Sequence, residues 1–190
     1  ELRASFGSRR GSTINMEVKE GETYTIELKY KAAAEGTVSN VFVDMYERKV
    51  AQFDELAEKV KEADAIIYVG GITPSQEGEG HERATIELPA VQRRFLQAMH
   101  ETGKPVIYVN CSGSCVGFEG IEHAYDALLQ AWYPGQEGGT AVADVIFGDF
   151  NPSGKLPVTF YKSTAQLPEF TDYSMENRTY RYFKGEPMYA

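Results

Sequence analysis

The sequence predicts an α/β fold in which helices cover both faces of a mainly parallel sheet. Two observations carry this prediction. Near residue 50 the apolar spacing changes from a period of two to the helical period, and beyond that point helices alternate with short apolar strands. Strands that alternate with helices are typical of parallel sheets buried on both faces. We therefore expect a three-layer α/β/α sandwich, preceded by an antiparallel β segment.

The first 48 residues predict three antiparallel strands. Apolar and polar residues alternate over 15–19, 24–30 and 41–46, and Glu-Gly pairs stand at the expected turns, at Gly21 and Gly36. This alternation of apolar and polar residues ends before residue 50. The sequence therefore divides into a β-strand region, 1–48, and an α/β region, 49–190.

The α/β region predicts its elements in a regular order. Helices are expected over 50–63 and 88–100, and buried strands over 65–69 and 105–109. A third apolar run at 127–133 precedes a helix that Gly148 ends. Residues 156–160 predict a last strand, which Pro157 would place at a lateral edge of the sheet. The tail after Lys162 is expected to be ordered and to wrap the surface.

Charge and hydropathy exclude two classes of partner. The net charge is −9, and basic residues cluster only as the pairs at 9–10 and 93–94. Nucleic acid and anionic membrane surfaces are therefore not expected as partners. No apolar run reaches about 18 residues, so no membrane-spanning helix is predicted. The chain begins without Met or a signal-peptide pattern, and we expect it to be a fragment.

The two cysteines do not indicate a metal or redox site. Cys111 and Cys115 stand four residues apart, without the second ligand pair that a zinc site needs. We expect both to be structural. A Cys–His hydrolase would require His81 or another distant His to fold against a thiol, which is a weaker alternative. No cofactor and no metal are expected.

The loop over 70–83 is the strongest candidate for chemistry. It follows a predicted strand, precedes a helix, and holds Glu77, Glu79, Glu82, His81 and Arg83 among glycines. In open α/β sheets, ligands bind where strands reach their carboxyl ends. On an extended backbone two carboxylates spaced two residues apart point to the same side, and like charges that close raise the pKa of at least one carboxyl. A protonated carboxyl there is suited to donate a proton to a leaving oxygen.

Other interpretations of this region remain open from the residues alone. The loop is also compatible with an acidic solvated surface that binds nothing, or with a salt bridge to Arg83. Phosphate binding is disfavoured because the carboxylates would repel it, and calcium binding because the regular ligand spacing is missing. Trp132 and Tyr133 follow the third apolar run, where they suit a sugar ring; Trp132 is equally well explained as a core residue.

Several motifs together resemble the second domain of glycoside hydrolase family 3. They are Gly-Glu-Gly-His-Glu-Arg at 78–83, Leu-Pro-Ala-Val-Gln at 88–92, the run from Gln-Ala-Trp-Tyr-Pro-Gly-Gln-Glu-Gly-Gly to Leu-Pro-Val-Thr-Phe over 130–160, and Leu-Pro at 167–168 with 172–183. The resemblance covers about residues 50–190. The family has Asp-Arg where this chain has Glu82-Arg83. Residues 1–48 resemble the last strands of a protective-antigen-type β-sandwich insert found in some members.

This resemblance implies a retaining, exo-acting β-glycosidase of β-xylosidase or β-glucosidase type. Its nucleophilic Asp lies on a barrel domain absent from this chain, and its acid/base Glu comes from the second domain, where Glu79 matches and Glu77 is the alternative. His81, Arg83 and Trp132 are the expected substrate-binding residues.

The same resemblance sets expectations for the whole molecule. The partners implied are the barrel domain of the same protein and a β-linked oligosaccharide or aryl glycoside, with a homodimer possible. The full-length protein is expected in the periplasm or secreted, and the isolated fragment is expected to be inactive. The alternative function is that of a non-catalytic carbohydrate-binding module.

Overall fold

The structure is a computed structural model that describes residues 2–6, 11–14, 16–27, 29, 41–45, 50–80 and 82–189. It divides into two compact units, Glu1–Ala51 and Gln52–Ala190. Within its described residues, no helix is long and apolar enough to cross a membrane.

The first unit contains a three-stranded antiparallel sheet. Its strands are β1 (Leu2–Phe6), β2 (Gly11–Ile14) and β3 (Val41–Met45), in the order β2-β1-β3. β3 agrees with the strand expected over 41–46, whereas β1 and β2 lie where no strand was anticipated.

The strands expected over 15–19 and 24–30 are wrong where they can be checked. Residues 16–19 and 24–27 form no strand, and Val18, Tyr24 and Ile26 are exposed. Alternation stabilises a strand when one face is buried, and these three side chains are not buried. Residues 15, 28 and 30 lie outside the described residues.

The second unit is built on a parallel sheet. Strands β4 (Ile66–Gly71), β5 (Val106–Cys111) and β6 (Ala127–Gln130) lie side by side in that order. Helix α1 (Asp54–Lys59) precedes β4, α2 (Ala90–His100) connects β4 to β5, and α3 (Gly138–Phe147) follows β6. Single 3-10 turns occupy Val60–Glu62, Glu122–Ala124, Thr164–Gln166 and Tyr180–Tyr182. The α/β fold with a parallel sheet is confirmed.

Local chemistry explains where the helices begin and end. Asp54 and Glu55 lie in the first turn of α1, where the positive end of the helix dipole interacts favourably with carboxylates. The helix expected over 50–63 is therefore shorter than predicted, since it starts at Asp54 and tightens into a 3-10 turn. Gly148 ends α3 with φ +84°, a left-handed conformation that glycine adopts easily.

The core lies between α2 and one face of the sheet. Leu96 and Met99, three residues apart on α2, are fully buried, whereas Ile67 and Val69 on alternate positions of β4 are 46% and 61% exposed. The buried apolar cluster comprises Ile66, Ile72, Leu88, Leu96, Met99, Val106, Tyr108, Val116, Phe118, Ile121, Ala124 and Phe160.

The last predicted strand, 156–160, is wrong. This segment forms no strand; Phe160 alone makes an isolated bridge with Tyr189. Phe160 is 1% exposed and belongs to the core. Its apolar run therefore reflects burial of one ring, and Pro157 removes a backbone donor that a ladder would need.

Candidate functional site

The carboxyl ends of the three parallel strands are in register. Gly70 pairs with Asn110, and Asn110 pairs with Gln130. The three loops that follow β4, β5 and β6 therefore leave the sheet at one level. Ligands bind at this end of open α/β sheets.

The start of the loop after β4 is fixed by a glycine and by a side-chain amide. Gly71 has φ +124°, and a Cβ there would lie 1.9 Å from the carbonyl oxygen of Cys111. The Gly71 N–H donates to Gln92 Oε1 at 2.8 Å, and Gln92 Nε2 donates to the Gly71 carbonyl at 2.6 Å. Gln92 in α2 thus holds the peptide at which the loop begins. Its place in the Leu-Pro-Ala-Val-Gln motif was the only sequence signal for this role.

Glu77 is the most extensively bonded carboxylate of the site. Its Oε1 accepts hydrogen bonds from the Gly113 N–H at 2.7 Å and from the Tyr133 hydroxyl at 2.6 Å, and its Oε2 accepts one from Ser114 Oγ. Arg83 Nε lies 3.9 Å from Oε2. The Glu77 side chain is 14% exposed. One carboxylate therefore joins all three loops.

These contacts keep Glu77 ionised. Burial by itself would raise the pKa of Glu77, but the hydrogen bonds from Ser114, Tyr133 and Gly113, with the charge of Arg83, outweigh it and lower that pKa below its ordinary value. Conversely, burial and the bond to Glu77 raise the pKa of the Tyr133 phenol, so that it stays a neutral donor. The charged Glu77 accepts protons in hydrogen bonds and has none to give.

Glu79 occupies a different environment two residues further on. The backbone at 77–80 bends and turns instead of extending, and Gly80 has φ +71°. Glu77 is partly buried, whereas Glu79 is exposed. The sequence-based expectation that both carboxylates share one extended side therefore fails at this turn. His81 lies outside the described residues.

Arg83 braces the far end of the same loop. Its Nη2 donates to Ser114 Oγ at 2.9 Å and to the Cys115 carbonyl at 2.8 Å, and its Nη1 donates to the Ile86 carbonyl at 3.4 Å. The side chain is 16% exposed. The guanidinium therefore binds other parts of the protein and reaches Glu77 only as a neighbouring charge.

A second carboxylate, Glu87, fixes the segment that follows the loop. It accepts hydrogen bonds from the Thr164 N–H at 2.8 Å and from Thr164 Oγ1 at 2.7 Å. Burial would raise the pKa of Glu87, but these bonds prevail and lower it to about 2. The loop is thus held at its beginning by Gln92, at its middle by Glu77 and just beyond its end by Glu87.

A buried polar network supports the loop after β5. Asn110, fully buried, donates to Ser112 Oγ at 3.0 Å and to Gln130 Oε1 at 2.6 Å, and accepts from the Tyr108 hydroxyl at 2.9 Å. Ser112 Oγ in turn donates to the Ser114 carbonyl at 2.8 Å. Because satisfied buried networks fix one geometry, the turn that presents Gly113 and Ser114 is held from beneath.

The two aromatic residues after β6 have separate positions. Trp132, at φ +59°, packs edge-to-face against Phe160 with ring centroids 6.1 Å apart, and lines a cavity of about 370 Å³ together with Gln130 and Lys155. Tyr133 is the aromatic residue that reaches the carboxylate loop. Sequence reasoning offered Tyr133 only as an aromatic face for a sugar ring, and it gave no role to the Ser-Gly-Ser turn at 112–114. The signal available was a polar turn directly after a core strand.

Neither cysteine is arranged for catalysis. Burial raises the pKa of both the Cys111 and the Cys115 thiol, and Cys115 Sγ accepts a hydrogen bond from the Tyr161 N–H at 3.3 Å. A raised thiol pKa disfavours the reactive thiolate. Over the described residues, no three His, Cys, Asp or Glu side chains cluster as metal ligands.

The fold and the site together define a parallel α/β domain that presents an anchored acidic loop at its ligand-binding end. Comparison with known proteins gives this domain its family. The family model described as the glycosyl hydrolase family 3 C-terminal domain matches residues 4–190. The chain belongs to glycosyl hydrolase family 3, as a C-terminal domain, which confirms the resemblance noted in the sequence.

Curated relatives include a β-xylosidase and a β-glucosidase. The chain is 47% identical over 178 residues to a xylan 1,4-β-xylosidase of Xylanibacter ruminicola, covering 88% of this chain and 21% of that protein. It is 36% identical over 147 residues to a periplasmic β-glucosidase of Salmonella typhimurium, covering 73% and 19%. The chain thus spans about a fifth of the length of these relatives.

Solved structures with the same fold are also family 3 enzymes. An exo-β-xylosidase in complex with a xylobiose aziridine probe matches with a TM-score of 0.65 and 32% identity, over 72% of this chain and 19% of that one. A β-glucosidase from Listeria innocua in complex with gluconolactone matches with a TM-score of 0.59 and 30% identity, over 74% and 22%.

Proposed function

We propose that this chain is the part of a retaining, exo-acting β-glycosidase that supplies the acid/base carboxylate, and that Glu79 is this residue. The observation that carries the choice is the contrast between the two candidates. The Glu77 carboxylate accepts three hydrogen bonds and stays ionised. Glu79, two residues further along the chain at the same end of the sheet, is exposed. A proton donor has to reach the substrate oxygen, which an exposed side chain can do.

The proposed reaction needs a second carboxylate from another domain. In a retaining mechanism an Asp of the barrel domain attacks the anomeric carbon while the acid protonates the departing oxygen, with the two carboxyl groups about 5 to 5.5 Å apart. Water then attacks the glycosyl-enzyme, and the same residue takes up its proton. In this scheme Glu79 acts first as acid and then as base.

We propose terminal β-linked xylosides or glucosides as substrates, because the relatives are named as a xylan 1,4-β-xylosidase and a β-glucosidase. The name of the second relative supports a periplasmic or secreted location. His81 and Trp132 remain proposed substrate-binding residues. For Arg83, the contacts favour bracing of the loop over binding of the sugar.

We also propose that residues 1–48 are the end of an inserted β-sandwich and that 49–190 form part of the α/β domain. The division into units Glu1–Ala51 and Gln52–Ala190 supports this arrangement, as does the antiparallel sheet of the first unit. A homodimer is a further proposal, and sedimentation of the full-length protein at several concentrations tests it.

The decisive experiment compares leaving groups in the full-length protein. Glu79→Gln should lower kcat/KM about 10² to 10⁴-fold on an alkyl β-xyloside or β-glucoside, the range expected for loss of general acid catalysis. It should lower it far less on the 2,4-dinitrophenyl glycoside, whose leaving group needs no proton. Azide should restore turnover and yield the β-glycosyl azide, because azide attacks the glycosyl-enzyme without a general base.

A matched control and the isolated chain complete this test. Glu62→Gln removes one exposed carboxylate outside the loop, in the turn that precedes β4, and should leave every rate unchanged. The 190-residue chain alone should release no dinitrophenol from the 2,4-dinitrophenyl β-xyloside or β-glucoside. Equal losses on all leaving groups in Glu79→Gln would contradict the assignment. Saturable binding of xylose or glucose by the isolated chain, without turnover in the full-length protein, would favour a carbohydrate-binding module.

A further inference from the structure

Three loops of the domain meet at a single carboxylate that the proposed chemistry does not use. Gly113 and Ser114 come from the loop after β5, Tyr133 comes from the loop after β6, and Glu77 belongs to the loop after β4. These donors are 36, 37 and 56 residues from Glu77 in the sequence. Removing this carboxylate would break three of the hydrogen bonds that join the first loop to the other two.

The partners of Glu77 are themselves held in place. Asn110 and Ser112 fix the turn from below through buried hydrogen bonds. At Gly113 a Cβ would lie 2.7 Å from the Tyr133 ring and 2.9 Å from Glu77 Oε1, so the loops approach as closely as a glycine allows. The carboxylate is therefore seated against a fixed surface.

The position of Glu79 depends on the contacts of Glu77 because Glu79 lies only two residues further along the chain. Two residues span at most about 7 Å, so a shift of Glu77 is passed to Glu79 with little loss. Proton transfer needs a heavy-atom distance of about 2.6 to 3.2 Å, and an error near 1 Å can cost about 10²-fold in rate. An exposed acid on a turn needs such an anchor to keep its position.

We propose that Glu77 is a positioning residue, whose carboxylate clasps the loop to Gly113, Ser114 and Tyr133 and thereby sets the position of Glu79. This inference rests on the proposed function, since it presumes that Glu79 is the acid/base. Of these two carboxylates, two residues apart, Glu79 reacts with the substrate and Glu77 holds the loop in place.

The test uses Glu77→Gln and Tyr133→Phe in the full-length protein, with Glu79→Gln as the reference and Glu62→Gln as the control. Glu77→Gln keeps the shape of the side chain but replaces one acceptor by a donor. We expect kcat/KM to fall about 10 to 10²-fold on an alkyl glycoside and by less than threefold on the dinitrophenyl glycoside, with no rescue by azide. Tyr133→Phe removes one bond of the clasp and should show the same pattern more weakly.

Combining Glu77→Gln with Glu79→Gln gives a second measurement, which a purely structural role of Glu77 would not affect. If Glu77 acts through Glu79, the double variant should be no slower than Glu79→Gln alone. Losses that multiply in the double variant would overturn the proposal, as would azide rescue of Glu77→Gln, which would make Glu77 the acid. Unchanged rates in Glu77→Gln with a strong effect of Glu79→Gln would overturn the clasp and leave the proposed function standing.

Failure of the proposed function would look different. A full-length protein inactive on all β-glycosides, or a Glu79→Gln variant with no dependence on the leaving group, would overturn both inferences together. Because Glu77→Gln could weaken folding, thermal unfolding of each variant is measured beside the rates. Tyr133→Phe, which leaves the charge and both Gly113 and Ser114 contacts in place, keeps the test decisive if Glu77→Gln unfolds.

Discussion

A side chain at Gly71 would lower the free energy of unfolding in two ways, through backbone strain and through steric overlap, and the two effects can be measured separately. In Gly71→Ala the new Cβ would meet the Cys111 carbonyl at 1.9 Å, and φ is +124°, a conformation nearly restricted to glycine. Strain of this kind costs about 2 kcal/mol. Relieving the overlap separates the ends of β4 and β5, and the Ile72 N–H bond to Cys111 and the brace by Gln92 are lost at about 1 kcal/mol each.

The expected loss for Gly71→Ala is therefore about 4 kcal/mol, which is large for a single substitution. Two matched variants separate the terms. Gly80→Ala meets no atom within 4 Å but has φ +71°, so it should lose about 1 kcal/mol, and Gly154→Ala, with neither feature, should lose almost nothing. Urea denaturation of the three variants gives the values. A loss for Gly71→Ala no greater than that for Gly80→Ala would refute the reasoning about close approach.

Two further predictions concern groups that support the loop. Because the folded-state pKa of Glu87 lies at about 2, below its unfolded value, its stabilisation is complete above about pH 4.5 and is lost as pH falls toward 2. Glu87→Gln should accordingly narrow the difference in urea midpoint between pH 7 and pH 3, and an unchanged difference would argue against the Thr164 contacts. Asn110→Leu should cost about 2 to 3 kcal/mol, because it leaves the buried Tyr108 hydroxyl and the half-buried Gln130 Oε1 without their Asn110 partner. A urea midpoint equal to that of the wild type would show that this network contributes nothing.

The sequence was sufficient to place the loop but not to distinguish its carboxylates. Apolar runs and glycines identified β4, β5 and α2, and parallel strands bring their carboxyl ends together whatever the detailed register. The difference between Glu77 and Glu79 depends on donors more than 30 residues away, whose alignment requires the register of β4 to β6. Local spacing contains no information about such partners.

The errors in predicting elements have related causes. Residues 24–27 alternate like a strand but have no buried face, and 156–160 are apolar because Phe160 enters the core. In the first case alternation occurs without burial, and in the second case burial occurs without hydrogen-bonded pairing. Burial and pairing coincide inside a sheet and separate at its periphery.

The brace between Gln92 and Gly71 also bears on how the sheet avoids growth. Within the described residues β4 is a lateral strand of the order β4-β5-β6, and the Gly71 N–H and C=O both bind the Gln92 amide. The Gln92 amide presents an acceptor and a donor side by side, as the C=O and N–H of one residue in a paired strand do. Gln92 thus stands in for one residue of a neighbouring strand, and it occupies the pair of groups from which another chain would begin to add to this sheet.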